Sequence, residues 1–421
     1  MRFVRASVSV LLILTMAACA VNPVTGKKEF TIMSADQEIA TGEQQYEAYQ
    51  QQQGGRYVVD PELSVYVNNV GQKLARVSDR PELPYEFVVL NNSVPNAWAL
   101  PGGKIALNRG LLDLLDDEAQ LAAVIGHEIV HAAARHAARQ MTQATLLNVG
   151  AMAAGVLGQA TDYGEWIAAG AGLGSNAWQA HYGRDQELEA DEYGVQYMVK
   201  AGYDAQAAVE LQEKFVKLSE GQASDFMSSL FASHPPSEDR VRRNQKYAQA
   251  HTGGVRNQQA FAQATKQIKK DRTAYVAQAK ALASAQNNDN SQAMTLIEQA
   301  IQSQPKEALF YITKGQLLMV AKQSEQALPA FEKAAKLNPE YYAGHLGAGI
   351  LLKQKGKNSQ AAAELESSMK LLPTPTAGYH LGELALAAGK TSEAQQYFQF
   401  AAQGTGELAE AAKAQLAKLG Q

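Results

Sequence analysis

Apolar residues recur at helical spacing along most of the chain. In one early segment they follow one another at alternating intervals of four and three, the pattern of an amphipathic helix on a core: Leu63, Val67, Val70, Leu74 and Val77. A capping box at 34–37 and the pair Asp60-Pro61 predict two helix starts in this region. Residues 85–90 and the two sides of the turn at 101–103 instead predict short strands.

A predicted helix with an apolar centre at 121–129 extends to about residue 140 and carries a metal-binding motif. Its centre reads His127-Glu128-x-x-His131, and positions i and i+4 share one face of a helix. The two imidazoles can therefore bind one metal ion, with Glu128 beside them as a general base. The alternative is a surface helix with two solvated histidines. The apolar sequence around His127 argues against it, because buried imidazoles need a ligand or hydrogen-bond partners.

A second, acidic helix supplies candidates for the third metal ligand. Glu187 and Asp191 are four positions apart and share a face. We expect Glu187 to bind the metal and Asp191 to hold the free ring N–H of His127. Zinc with three protein ligands and one open position is the usual catalytic arrangement. Glu189 is the competing ligand but points away from that face; the alternative for the acidic run is a solvated surface, which suits Glu189 and Glu192.

Two further elements are predicted to border the same cleft. The strand with Asn96, Ala97 and Trp98 comes just before the metal-binding helix, and its free edge can pair with an extended peptide; a plain structural hairpin is the alternative. His234 precedes two prolines that stiffen the backbone, so it can stabilise an oxyanion or occupy the open metal position as a brake; the alternative is a structural histidine. His136, about 140° round a continuous helix from His131, is expected to be a poor ligand.

Composition and the N-terminus indicate where the protein works. A net charge of −4 does not favour nucleic acid as a partner, and 421 residues predict two or more domains. The single cysteine, Cys19, excludes an intrachain disulfide and follows two arginines and an apolar stretch at 8–16, the pattern of a secretory signal. Residues 16–19, M-A-A-C, resemble a bacterial lipobox. This implies a lipid on Cys19 and, with Ala20 next, the inner face of the outer membrane; a soluble periplasmic protein is the alternative.

The C-terminal third of the chain repeats itself every 34 residues. Prolines and alanines mark equivalent positions: Pro305, Pro339 and Pro373, and Ala293, Ala327 and Ala361. Small residues where helices cross and a late proline at this period are the tetratricopeptide signature. Stacked helix pairs provide a concave surface for a peptide or a partner, and a purely stabilising appendage is the alternative.

These patterns predict a mainly α protein with two parts. We expect an α+β zinc metallopeptidase domain with a small β-hairpin or sheet beside the zinc helix, followed by an α-solenoid of tetratricopeptide repeats. The expected boundaries are 1–18 for the signal peptide, 19–33 for a tether, 34–250 for the peptidase domain, 251–271 for a linker and 272–421 for the repeats. The Ala- and Gly-rich segment 142–177 is compatible with a helical hairpin, a lid or a membrane-touching element.

Four motifs together resemble the HtpX/CAAX-prenyl-protease family of zinc peptidases: N-A-W-A-L-P-G-G at 96–103, H-E-I-V-H at 127–131, E-L-E-A-D at 187–191 and S-H-P-P at 233–236. The export signal and the repeats point to its periplasmic, BepA-like branch. The resemblance implies one Zn²⁺ per chain and endopeptidase activity on misfolded or stalled outer-membrane proteins. It also implies contact with the outer-membrane assembly machinery through the repeats. A chaperone or scaffold whose protease is normally shut is the alternative.

Overall fold

Helices dominate the computed structural model. It describes residues 19–153, 182–220 and 224–420. This part of the chain holds nineteen helices and two small sheets. The described residues divide into two compact units, one within 1–46 and 61–266 and the other within 47–60 and 267–421. Among the residues described, no helix has the length and apolar character needed to cross a bilayer. The expected signal peptide and most of segment 142–177 lie outside the described residues. The domain boundaries given above remain predictions.

The first unit opens with a β-hairpin where the sequence predicted an extended tether. β1 (Cys19–Val21) pairs antiparallel with β2 (Lys28–Phe30). The buried side chain of Asn22 closes the turn, since its Oδ1 accepts hydrogen bonds from the backbone N–H groups of Val24 and Thr25. A side chain that satisfies backbone donors two and three residues later stabilises a turn, and this local chemistry explains the hairpin.

A three-stranded sheet with order β3-β5-β4 follows the first two long helices. The elements are α1 (Ala35–Gln52), α2 (Pro61–Ala75), β3 (Glu86–Leu90), β4 (Ala97–Leu100) and β5 (Lys104–Asn108). β3 runs parallel to β5, and β4 runs antiparallel to it, so the predicted hairpin is confirmed. Gly102 turns the chain at φ 77°, and a Cβ there would lie 2.7 Å from the Cα of Ile39. β4 is an edge strand of this sheet.

The remaining helices of the first unit are α3 (Arg109–Leu112), α4 (Glu118–Ala133), α5 (His136–Ala153), α6 (Arg184–Lys200), α7 (Gln206–Glu220), α8 (Ser224–Ser233), α9 (Glu238–Gln249) and α10 (Gln258–Ala264). Asp117 caps α4 by accepting a hydrogen bond from the N–H of Gln120 at 2.8 Å. The prediction of one helix to about residue 140 is wrong. α4 ends at Ala133, Arg135 adopts a left-handed φ of 63°, and α5 begins at His136.

Two glycines set the close crossing of α4 and α6. A Cβ on Gly126 would lie 2.9 Å from the carbonyl oxygen of Gly194, and a Cβ on Gly194 would lie 3.0 Å from the backbone nitrogen of His127. Only residues without a side chain allow two helix backbones to approach this closely. The crossing therefore brings the H-E-x-x-H helix next to the acidic helix that the sequence predicted to complete the site.

The second unit is built from helix pairs at the predicted period. Its helices are α11 (Lys266–Gln286), α12 (Asn290–Ser303), α13 (Ala308–Val320), α14 (Ser324–Leu337), α15 (Tyr342–Gln354), α16 (Asn358–Leu371), α17 (Pro375–Ala387), α18 (Thr391–Ala401) and α19 (Glu407–Leu419). In successive repeats a helix glycine packs against a large side chain of the following helix: Gly315 on Phe331, Gly349 on Leu365 and Gly382 on Phe398. The predicted fold class is confirmed.

Candidate metal centre

Three histidines and one glutamate converge from α4, α6 and the end of α8: His127, His131, Glu187 and His234. Their ligand atoms all lie within 4.8 Å of one another. The Nε2 atoms of His127 and His131 are 3.0 Å apart, and Glu187 Oε1 is 3.2 Å from His131 Nε2. His234 Nδ1 is 3.0 Å from Glu187 Oε1. The structure thus brings together the three ligands predicted from sequence, and His234 lies among them as a fourth donor, close to the metal position as predicted.

The charges around these groups show that the donor set fits a cation. Burial alone would raise the pKa of Glu187, but the charges of His234 and His127 hold it well below its usual value. Burial likewise acts to lower the pKa of His127, but Glu187 and Asp191 together outweigh it and raise that pKa to about 10. The carboxylate thus draws positive charge to the ring. Imidazole nitrogens with one carboxylate oxygen are the ligand types that suit Zn²⁺.

Glu128 lies beside this donor set with half of its carboxylate unused. The residue is 2% exposed, and its Oε2 has no hydrogen-bond partner among the described residues. Its Oε1 lies 3.5 Å from Nε2 of His234. Burial raises the pKa of Glu128. A buried carboxylate with a raised pKa and a free oxygen next to the metal donors has the properties of a general base.

Asp191 holds His127 and is itself held by an arginine that the sequence analysis gave no role. The Oδ1 atom of Asp191 lies 3.1 Å from Nδ1 of His127. Arg240 donates to both carboxylate oxygens of Asp191, at 2.6 and 2.7 Å, and its Nη1 lies 3.0 Å from Glu187. Ser237 caps α9 and so places Arg240 in its first turns. The sequence signal was the capped S-H-P-P-S-E-D-R run, in which the arginine follows His234 by six residues.

The three residues of the predicted substrate strand have different surroundings. Ala97 lines a cavity together with His127 and Glu128. Trp98 packs edge-on against Tyr46, with ring centroids 6.0 Å apart. Asn96 is buried, and its backbone oxygen accepts a hydrogen bond from the N–H of Asn108. Only Ala97 therefore borders the cleft with its side chain.

The same cavity has an apolar wall formed by residues of four helices: Val124, Met198, Leu211, Phe215 and Leu230. A cavity of this kind accepts an apolar group next to the metal donors. For Cys19, the predicted lipidation site, the structure describes only the backbone, which is part of β1.

His136 and Glu189 lie closer to the centre than the sequence indicated. The break at Arg135 turns His136 back, so that its Nδ1 lies 2.8 Å from Nδ1 of His131. Glu189 Oε1 is 3.3 Å from Nε2 of His136. The prediction of a solvated Glu189 is therefore wrong, because the residue faces a buried histidine. His136 is not among the four grouped donors, as expected for a poor ligand.

The H-E-x-x-H helix, the glutamate from a second helix and the buried general-base candidate define a metallopeptidase-type domain with a two-histidine, one-glutamate centre. Residues 61–248 match the model of Peptidase family M48.

Two relatives show how far the similarity extends. The Beta-barrel assembly-enhancing protease of Escherichia coli (strain K12) is 31% identical over 224 residues, which cover 52% of this chain and 45% of that protein. The Mitochondrial metalloendopeptidase OMA1 of Schizosaccharomyces pombe is 29% identical over 231 residues, covering 53% and 65%. The chain thus spans less than half the length of the first relative. Among solved structures, the crystal structure of MamA covers 38% of this chain and 91% of its own, at 16% identity and a TM-score of 0.29.

Proposed function

We propose that the chain is a zinc-dependent endopeptidase that hydrolyses misfolded or stalled proteins of the bacterial envelope. The observation that carries the proposal is the carboxylate oxygen of Glu128 that has no hydrogen-bond partner in the described part of the chain and lies buried beside four converging metal donors. A structural metal site has no use for a free buried carboxylate, whose desolvation is costly. A hydrolytic site needs such a group to accept a proton from water.

In this proposal each residue has one task. His127, His131 and Glu187 hold one Zn²⁺, which when bound supplies Lewis-acid polarisation of the scissile carbonyl and activation of water. Glu128 accepts the proton of the attacking water at its free oxygen and delivers it to the leaving amine nitrogen. Asp191 fixes the ring of His127 through Nδ1.

His234 has two possible tasks in the same site. Its position among the donors suits a brake that fills the open metal position. Its Nε2, 3.5 Å from Glu128, also suits stabilisation of an oxyanion. Replacing His234 with alanine separates them, because loss of a brake raises the cleavage rate and loss of an oxyanion donor lowers it.

The substrate proposal rests on the edge strand and the cavity. β4 lies at the edge of its sheet, where an extended peptide could add as a further strand, and Ala97 of β4 lines the apolar cavity beside Glu128. Extended, apolar segments are what an unfolded membrane-barrel protein exposes, and the E. coli relative is named for barrel assembly. The leader, a lipid on Cys19 and the repeats would place the protein at the inner face of the outer membrane and bring clients or assembly partners to it.

The test is replacement of Glu128 with glutamine in the full chain. The variant keeps the shape of the site, so we expect normal zinc binding but cleavage of an unfolded envelope protein slowed by about 10²–10⁴-fold. Asp185→Asn, an exposed charge loss on α6, is the control and should cleave normally. Cleavage by the glutamine variant at the wild-type rate would refute the mechanism.

A scaffold or chaperone function is the second candidate, because His234 among the donors is compatible with a closed protease. Complementation separates the two: if the Glu128→Gln protein fully rescues a deletion strain, binding is the main function.

A further inference from the structure

The zinc-ligand candidate His131 stacks on Tyr182, with ring centroids 3.7 Å apart. A chain of hydrogen-bonding side chains leads from His131 away from the metal centre. The Nε2 atom of His131 faces the other donors, and its Nδ1 lies 2.8 Å from Nδ1 of His136. Nε2 of His136 lies 3.3 Å from Glu189, and the amide of Asn22 donates to the same carboxylate oxygen at 2.9 Å. His131 and His136 are 1% and 0% exposed, so water does not compete for these contacts.

Hydrogen-bond chemistry leaves one consistent arrangement of protons in this chain. A histidine that binds a metal through Nε2 carries its proton on Nδ1. His131 must therefore donate from Nδ1, and His136 must accept at its own Nδ1. A neutral His136 then carries its proton on Nε2, where the carboxylate of Glu189 accepts it. Glu189 thus fixes the tautomer of His136, and His136 fixes the tautomer of His131.

The N-terminal hairpin supplies the last member of this chain. Asn22 uses its Oδ1 to close the hairpin turn and its Nδ2 to reach Glu189. Glu29 of β2 forms an ion pair with Arg139 of α5 at 3.0 Å, which holds the hairpin against the helix that carries His136. Thr31, just after the hairpin, contacts the hydroxyl of Thr142 on the same helix at 3.3 Å. The hairpin is thus fixed to the unit at three points.

We propose that His136 and Glu189 are positioning residues that orient His131 for metal binding, and that Asn22 makes this orientation depend on the docked N-terminal hairpin. The inference rests on the proposed zinc site. Its consequence is that the segment directly after Cys19 contributes to metal affinity although it lies outside the residues matched to the peptidase family. A ligand histidine whose second ring nitrogen is held by the protein binds its metal more tightly, and loss of such a partner costs about 10–100-fold in affinity.

The experiment measures the Zn²⁺ dissociation constant of the purified full-length protein by competition with a chelator. The absorption spectrum of the Co²⁺-loaded protein provides a second readout of ligand geometry, and thermal unfolding of the metal-free protein provides a third. His136→Leu keeps a buried, similarly large side chain but removes the acceptor, and should weaken zinc binding by about 10–100-fold and change the cobalt spectrum. His136→Asn restores an acceptor and should recover most of the affinity.

Two variants test the outer part of the chain, and they remain informative if the leucine variant does not fold. Asn22→Asp keeps the oxygen that closes the hairpin turn but replaces the donor to Glu189 with a negative charge. Glu189→Gln keeps an acceptor but removes the charge. Both should weaken zinc binding by about threefold or more, which is less than the roughly 10–100-fold expected for His136→Leu because these two residues act on His131 only through His136. The exposed Asp185→Asn on the same helix is the matched control and should leave the affinity unchanged.

Unchanged zinc affinity and an unchanged cobalt spectrum in a folded His136→Leu protein would overturn the inference. The inference would also fail if the variants reduced only the stability of the metal-free protein and left zinc binding unchanged. A wild-type protein that binds no zinc would overturn the proposed function itself, so the two failures are distinguishable. Cleavage activity is not needed for any of these readouts.

Discussion

Replacing Gly194 with alanine tests whether the crossing of α4 and α6 builds the metal centre. The new Cβ would lie 3.0 Å from the backbone nitrogen of His127 and 3.1 Å from the carbonyl carbon of Gly126. Backbone atoms cannot rotate away as a side chain can, so the two helices must separate by roughly half an ångström to restore ordinary carbon contacts. His131 is carried by one helix and Glu187 by the other, so this separation enters the distance between ligands directly.

The magnitude follows from two opposing terms. Alanine is favoured over glycine in a helix by about 0.8–1 kcal/mol. Overpacking a close contact costs about 1–3 kcal/mol, so the net change in the free energy of unfolding is small to moderately unfavourable. The effect on metal affinity is larger than the effect on stability, because the distances between a metal and its ligands tolerate a change of only about 0.2 Å. We expect Gly194→Ala to lower zinc affinity at least tenfold, about 1.4 kcal/mol.

The assay combines chelator competition with thermal unfolding in the presence and absence of zinc. Gly183→Ala, at the N-cap of the same helix, is the control, because the nearest atom to its new Cβ is 3.9 Å away and its φ of −65° suits any residue. The control should bind zinc as the wild type does. A Gly194→Ala protein that is more stable than wild type and binds zinc equally well would refute the reasoning, because helix propensity alone would then decide the outcome.

Two further predictions concern buried and half-buried charges. Arg240→Met leaves the carboxylate of Asp191 without its cation and should cost about 3–5 kcal/mol in the free energy of unfolding, measured by denaturant titration, whereas the exposed Arg242→Met should cost little. In the repeats, a hydrogen bond to Glu364 raises the pKa of His345, so its stabilisation is complete below the unfolded pKa and is lost as pH rises through the folded pKa. Glu364→Gln should therefore reduce the drop in melting temperature between about pH 5.5 and 8.5, and an unchanged drop would contradict this.

The metal donors could be predicted because their spacing has a direct geometric meaning. His127 and His131 are one helical turn apart, and so are Glu187 and Asp191, so each pair shares a face whatever the rest of the fold does. The repeats could be predicted for the same reason, since a fixed period repeats one packing contact, as Gly315 on Phe331 shows. Local periodicity was sufficient in both cases.

The break between α4 and α5 could not be predicted, because local propensity favours a continuous helix there. The run Ala-Ala-Ala-Arg before His136 consists of strong helix formers. The structure reverses this preference through contacts remote in sequence: Arg135 forms an ion pair with Glu38 and donates to the backbone oxygen of Met33. These bonds accompany its left-handed conformation, and His136 reaches His131 as a result.

Arg240 was missed for a related reason, which concerns the balance of charge in the centre. Glu128, Glu187 and Asp191 carry three negative charges when ionised, and Arg240 is the cation that contacts two of them. With the histidines neutral as ligands, two negative charges are left over, which a divalent metal ion neutralises. Without the metal, protons must take its place, in accordance with the raised pKa values of Glu128 and His127. This balance is made by residues up to 112 positions apart, from Glu128 to Arg240, and it becomes visible only when the helices are in place.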